Sequence, residues 1–209
     1  MKISLPAAAC IAGLAILAFA AQAQTPPPHA APSTDPATVA AGHYVLDGHH
    51  TSIAARINHM GFSTVTVNFP KSEGSFDYDP AHPETSKLDV TTYVTALSSG
   101  FGMRDGHLKD AGFFNAVAFP TIHFSADHLA RVDVTHATVD GQLTLLGITK
   151  PVTLNVTFVG GGTGMMGDTR AGFSATAVLH RSDFGMTAFL PGVGDEVDLQ
   201  IDSEFAKAK

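Results

Sequence analysis

Cysteine is almost missing from this chain of 209 residues: the single one is Cys10. It lies within an apolar stretch, Leu5 to Ala20, that follows Met1-Lys2 and ends at the small-x-small triplet Ala21-Gln22-Ala23. That pattern predicts a secretory signal peptide over 1–23, cleaved to leave Gln24 first. Pro6 keeps the apolar run below the roughly 18–20 residues of a spanning helix, and Cys10 comes too early to follow an h-region as a lipoprotein anchor would. The mature chain then has no cysteine, which excludes disulfide staples, thiol catalysis and thiolate-held zinc or iron–sulfur clusters. Its stability has to come from its core.

Positive charge is also scarce. Lys and Arg number 12 against 19 Asp and Glu, and loss of Lys2 with the leader leaves 11, a formal charge of −8. Phosphate backbones and anionic lipid surfaces would be approached against a repulsive field, so a nucleic-acid partner and permanent membrane adhesion are excluded. Large apolar side chains are nearly lacking from Gln24 to Ala41, a stretch rich in Pro, Ala and Thr with Pro26-Pro27-Pro28 at its head. Such a segment cannot bury enough surface to offset its ordering entropy, which predicts a disordered tether over 24–41. A single domain is expected over 42–209.

Within that domain apolar residues recur with period two. Val152, Leu154, Val156 and Phe158 alternate with Thr153, Asn155 and Thr157; Val197, Leu199, Ile201 and Phe205 alternate with Glu196, Asp198, Gln200, Asp202 and Glu204; Leu88, Val90, Val94 and Ala96 alternate with Asp89, Thr91, Tyr93 and Thr95. Weaker versions span 53–57, 65–69, 122–126, 139–145 and 173–179. Successive strand side chains point to opposite faces, so each segment has one apolar and one wet face, the mark of an antiparallel sheet. About eight such strands point to a sandwich or an up-and-down barrel. Asp79-Pro80, Asp140-Gly141 and Gly160-Gly161-Gly162 are turn or bulge signals. Residues 102–115 read as a short helical cap.

Catalytic signatures are lacking as well. Eleven histidines invite a metal, but His49-His50 would point to opposite faces of a strand, and His123, His128 and His136 have neither helical spacing nor an H-E-x-x-H context. No serine stands in a nucleophile-elbow pattern, and the acids lie on the polar faces of strands, where they solvate and guard edges. Arg104-Asp105-Gly106-His107 is the exception: a cation, an anion and an imidazole beside Phe101, Met103, Phe113 and Phe114. Such a cluster either pairs internally, locking the cap to the barrel, or meets a polar group of a ligand.

Several stretches, in order, resemble the YceI family of lipid- or polyisoprenoid-binding proteins. They are Tyr44-Val45-Leu46-Asp47 with His50-Thr51, Asn58-His59-Met60-Gly61, Arg104-Asp105-Gly106-His107-Leu108, Phe113-Phe114, Phe119-Pro120-Thr121-Ile122-His123-Phe124, Gly141 through Val152, and Arg181-Ser182-Asp183-Phe184-Gly185-Met186. The resemblance implies an all-β, lipocalin-like antiparallel up-and-down barrel, exported to the periplasm and enclosing a tunnel for an isoprenoid or similar lipid tail. Gly112 and Asn115 stand where the family pattern usually carries Asp, and Val65–Phe69 replaces a glycine-containing strand; both departures bear on head-group preference more than on fold.

The small inward residues Ala55, Ala96, Ala126, Gly141, Ala175 and Ala177 favour an open lumen over one filled by its own side chains. Ligand contacts are thus expected at Phe101, Arg104, Asp105, His107, Phe113 and Phe114 on the cap and at Ala55, Ala126, Ala175 and Ala177 in the lumen, with no catalytic residue, metal or cofactor. The expected function is carriage of a polyisoprenoid or isoprenoid quinone. The alternatives are a small enzyme using His107 with Asp105, and a structural stress protein whose barrel is filled. Transient membrane contact and a two-fold homodimer are open within this class.

Overall fold

The computed structural model describes residues 30–209; the expected signal peptide over 1–23 and residues 24–29 lie outside the described residues. Ten strands follow in chain order: β1 (Gly42–Leu46), β2 (Ser52–His59), β3 (Ser63–Asn68), β4 (Ser72–Tyr78), β5 (Lys87–Tyr93), β6 (Thr121–Arg131), β7 (His136–Leu145), β8 (Ile148–Thr163), β9 (Thr169–His180) and β10 (Val193–Lys207). A short helix, α1 (Gly102–Lys109), lies between β5 and β6, within the stretch where the sequence predicts a helical cap.

The strands pair antiparallel in the order β1-β4-β5-β6-β7-β8-β9-β10, and β10 returns to β1. β10 pairs with β1 through Phe205–Lys207 and with β2 through Val193–Asp202. β1 and β2 are therefore two halves of one stave, interrupted at 47–51, and β3 and β4 are likewise two halves of the next. The ten strands thus close into an eight-stave, lipocalin-like up-and-down barrel. Closure follows from the alternation, because a sheet with one apolar face must enclose that face, and curling on itself removes both edges at once.

Two readings of local sequence are corrected. Val94 and Ala96 do not continue strand β5: they form a 3₁₀ turn whose Val94 N–H donates to Pro120 O at 2.9 Å, turning the chain toward the cap. The expected tether over 24–41 is, from Ser33 onward, an ordered strap. Ser33 and Gly161 exchange backbone hydrogen bonds at 2.8 and 2.9 Å. Tyr44 Oη donates to Ala40 O at 2.7 Å and Tyr78 Oη to Pro36 O at 3.1 Å. Val39 is buried against Tyr44, Phe76, Phe158 and Phe205. One valine and two tyrosine hydroxyls borrowed from the barrel supply the contacts that the segment's own composition lacks.

The glycine signals fall inside strands. Gly141 lies in β7 beneath Phe124, where a Cβ would stand 2.3 Å from the ring, so close packing excludes any side chain. Gly160 in β8 follows a bulge after Phe158.

The break between β1 and β2 is held by charge. Asp47 accepts from Arg170 Nη1 at 2.8 Å and from His50 Nδ1 at 2.9 Å, and Arg170 also donates to Glu204 and, through Nε at 2.7 Å, to Asp168. Asp47, His50 and Glu204 bring their ligand-type atoms within 4.8 Å of one another, but Arg170 already bonds both carboxylates, so the group acts as an ion-pair staple. The bonds from His50 and Arg170 hold the Asp47 carboxyl far below the usual carboxylate range; the same Asp47 bond raises His50 above the usual histidine value.

The signs follow from linkage. A depressed Asp47 pKa gives stability that is present above about pH 4 and drains away as pH falls toward the folded value; a raised His50 pKa gives stability present below about pH 6.5 and lost as pH rises through the folded value. The staple is therefore fullest between those limits. Arg170→Gln is expected to cost about 1–3 kcal/mol at pH 6, and thermal melts should show the difference from the parent shrinking toward pH 2. An equal loss at both pH values would mean that the guanidinium acts through packing alone.

Candidate functional site

The inward halves of the alternating strands meet around one chamber of 740 Å³, in the upper part of the roughly 300–1,000 Å³ range of small-molecule sites. Its floor is aromatic. Tyr44 stacks on Phe76 at 4.9 Å, Phe205 and Phe173 meet the Phe76 ring edge-on at 4.9 and 5.4 Å, and Phe158 packs on Phe173 at 5.6 Å. These rings close the end covered by the 33–41 strap. Its walls are aliphatic, with Ile53, Val90, Leu143, Leu154, Val156 and Leu199 on five different staves. The polar partners in the alternation, such as Asp89, Thr153, Asn155 and Asp198, take the opposite face.

The cap closes the other end. Leu108 of α1 and the pair Phe113-Phe114 face the chamber. Phe114 meets Phe69 edge-on at 5.7 Å, and Phe113 stacks on Phe189 at 5.9 Å. Asn115 adopts φ 44°, a left-handed conformation that asparagine tolerates, and its carbonyl accepts from Ala118 and Phe119 N–H. Lining residues reach solvent in two places. His59, His107 and Phe189 do so beside the cap, and Lys87 and His128 do so near the bulge in β6.

The structure brings together most of the residues singled out from sequence. Arg104, His107, Phe113, Phe114, Ala55, Ala126 and Ala175 all line the chamber. Ala177 is buried within the wall without lining it. Two expectations are corrected. Phe101 precedes the first turn of α1 and its ring is exposed, away from the chamber. Asp105 turns back on the chain: its carboxylate accepts from Ser99 N–H and Ser99 Oγ, bonds that hold it below the usual carboxylate range.

Arg104 joins the same knot, donating Nε to Ser99 Oγ at 2.8 Å and Nη2 to Ser99 O at 2.7 Å. Ser98 next door exchanges backbone bonds with Asn68, so the cluster locks the cap to β3. Both partners of Asp105 thus lie on Ser99, and a dyad with His107 is not formed. The filled-barrel alternative is set aside by the chamber itself.

Arg181 was missed as a functional group. It is only 4 % exposed. Nε donates to Gly194 O at 2.7 Å, Nη1 to Met186 O at 2.8 Å, and Nη2 to Ala188 O and Val193 O, both at 2.9 Å. Burial pushes its pKa down. Ser182 N–H and Oγ donate to Asp195 at 2.8 and 2.7 Å, tying the same turn to β10. Arg181 thereby shapes the loop that carries Phe189 over the chamber. In sequence Arg181 stands two residues from Asp183 in the run Arg181-Ser182-Asp183-Phe184-Gly185-Met186, which reads as an ordinary surface pair; that its guanidinium bonds only backbone carbonyls is a tertiary fact.

A barrel closed around one apolar chamber, floored by aromatic rings and capped by a short helix, defines a lipocalin-like protein of the binding type. Residues 44–205 match the YceI-like domain, and the chain belongs to that family. It is 36 % identical over 171 residues to a UPF0312 protein of Enterobacter sp. strain 638, covering 81 % of this chain and 88 % of that one. Among solved structures it is similar to BcnA of Burkholderia cenocepacia, with a TM-score of 0.70, 21 % identity and coverage of 76 % of this chain and 98 % of that one. It is also similar to a polyisoprenoid binding domain from Saccharophagus degradans, with a TM-score of 0.60, 12 % identity and coverage of 81 % and 100 %.

Proposed function

We propose that this protein is an exported carrier that holds the tail of a polyisoprenoid or isoprenoid-quinone lipid in its lumen, in the periplasm. The observation that carries the reading is the 740 Å³ chamber, walled by aliphatic side chains and continuous from the aromatic floor to the cap. A hydrocarbon tail is the ligand that such a wall selects. Roughly twenty buried methylenes, at about 0.8 kcal/mol each, contribute about 16 kcal/mol, enough to offset association costs of about 4–15 kcal/mol without a strong polar contact. The imidazoles of His107 and His59 gather beside the cap, which favours a head group there and a tail running toward the floor. The structural relative described as a polyisoprenoid binding domain supports the same ligand class, and the signal-type N-terminus supports export.

Organic extraction of the purified protein followed by mass spectrometry is expected to release an isoprenoid-tailed molecule. The stripped protein should take up added polyprenyl lipid from detergent. Neither release nor uptake would overturn the reading.

A further inference from the structure

Two loops beside the cap place large apolar side chains in water. In the β2–β3 turn Met60 is 59 % exposed and Phe62 85 %; in the connection before β10 Phe189 is 72 % exposed and Leu190 36 %. The loops are neighbours: Met60 N–H donates to Gly192 O at 2.7 Å. Residues 60–62 and 187–192 contain no charged side chain. Met60 and Phe189 are held at φ 56° and 61°, a left-handed backbone region that bulky residues avoid. An exposed apolar patch on a strained backbone, repeated on two adjacent loops, marks an interaction surface.

What covers it follows from where it lies. Phe189 is at once exposed and part of the chamber lining, so the patch runs without interruption into the lumen. The second opening, at Lys87 and His128, carries the lysine's charge. At the far end of the barrel the exposed Val132, Val134, Met165 and Met166 share their turns with Asp133 and Asp168. Among the described residues, the tip beside the cap carries exposed apolar side chains that lead through Phe189 into the lumen, with His59 and His107 alongside. A long isoprenoid tail is insoluble, so its donor must meet the mouth directly, and that donor is a bilayer.

We propose that Met60–Phe62 and Phe189–Leu190 form a tip that inserts into the interfacial region of a lipid leaflet, through which the chamber is loaded. The loading half rests on the carrier reading; insertion does not. The acidic chain favours a zwitterionic surface over an anionic one.

The test uses the full mature chain, phosphatidylcholine vesicles with and without a fluorescent polyprenyl lipid, and the variant Met60→Asn/Phe62→Asp, which alters side chains outside the lining. The parent is expected to float with plain vesicles. The variant should lose flotation and take lipid from vesicles at least tenfold more slowly, yet take up the same amount from detergent. Parent that stays unbound to plain vesicles, or a variant that loads from vesicles at the parent's rate, overturns the proposal. So does a concentration-dependent dimer in sedimentation that the variant abolishes while loading is unchanged, because the tip is then covered by a second copy. If the parent floats but takes no lipid even from detergent, insertion stands and the carrier reading fails.

Discussion

Arg181→Leu is expected to destabilise the barrel by about 3–5 kcal/mol, the range for removing one partner from a buried charged network. Four backbone carbonyls, on Met186, Ala188, Val193 and Gly194, accept from this one guanidinium. Leucine fills part of the volume but donates nothing, so those carbonyls would stay buried without partners. The carbonyls are the partial negative charges that let a cation stay buried at 4 % exposure without a bonded carboxylate. Arg181→Lys should be nearly as harmful, since a single ammonium cannot reach four acceptors arranged around a planar fork. Denaturant midpoints of the parent and the two variants check this. A loss under about 1 kcal/mol would show that the 185–194 loop holds its shape by other contacts, and that Arg181 serves the ligand instead.

The second large effect is on binding. Ala55 and Ala175 both line the chamber, on strands flanking β10: Ala55 pairs with Leu199 and Ala175 with Ile201. Ala55→Phe/Ala175→Phe would put two rings into the space a tail needs. If each ring displaces roughly two to three methylenes, at about 0.8 kcal/mol each, affinity for a long polyprenyl lipid should fall by more than a hundredfold. Stability should hold or rise, because the rings enter space rather than packed wall. Lipid titration together with thermal melts separates the two effects. Unchanged affinity would place the tail elsewhere; unfolding would show that the two alanines are packed against the wall rather than facing room.

The two variants differ because their residues play different parts. Arg181 organises backbone, and its loss is felt in folding. The alanines define free volume, and their enlargement is felt in binding. The charge knot of Arg104 and Asp105 on Ser99 belongs with Arg181 in the first group, although in sequence it is the most ligand-like feature of the chain. Two carboxylate-accepted bonds from one serine outcompete the neighbouring imidazole for Asp105.

Eight of the ten strands, their antiparallel pairing and the identity of the inward face were legible in the sequence, because period-two alternation is a local property that these strands carry in their own residues; β1 and β4 were not read from it. Val152, Leu154 and Val156 face the lumen for the same reason that Thr153 and Asn155 do not. The lining alanines Ala55, Ala126 and Ala175 follow from the same periodicity. Contacts between distant segments were not legible. The division of two staves into β1–β2 and β3–β4, the strap docked by Val39 and two tyrosine hydroxyls, the staple of Arg170 on Asp47, Asp168 and Glu204, and the carbonyl cage of Arg181 all depend on register and closure. Alternation determines which way a side chain points; only the closed barrel decides what it meets there and how much space is left between.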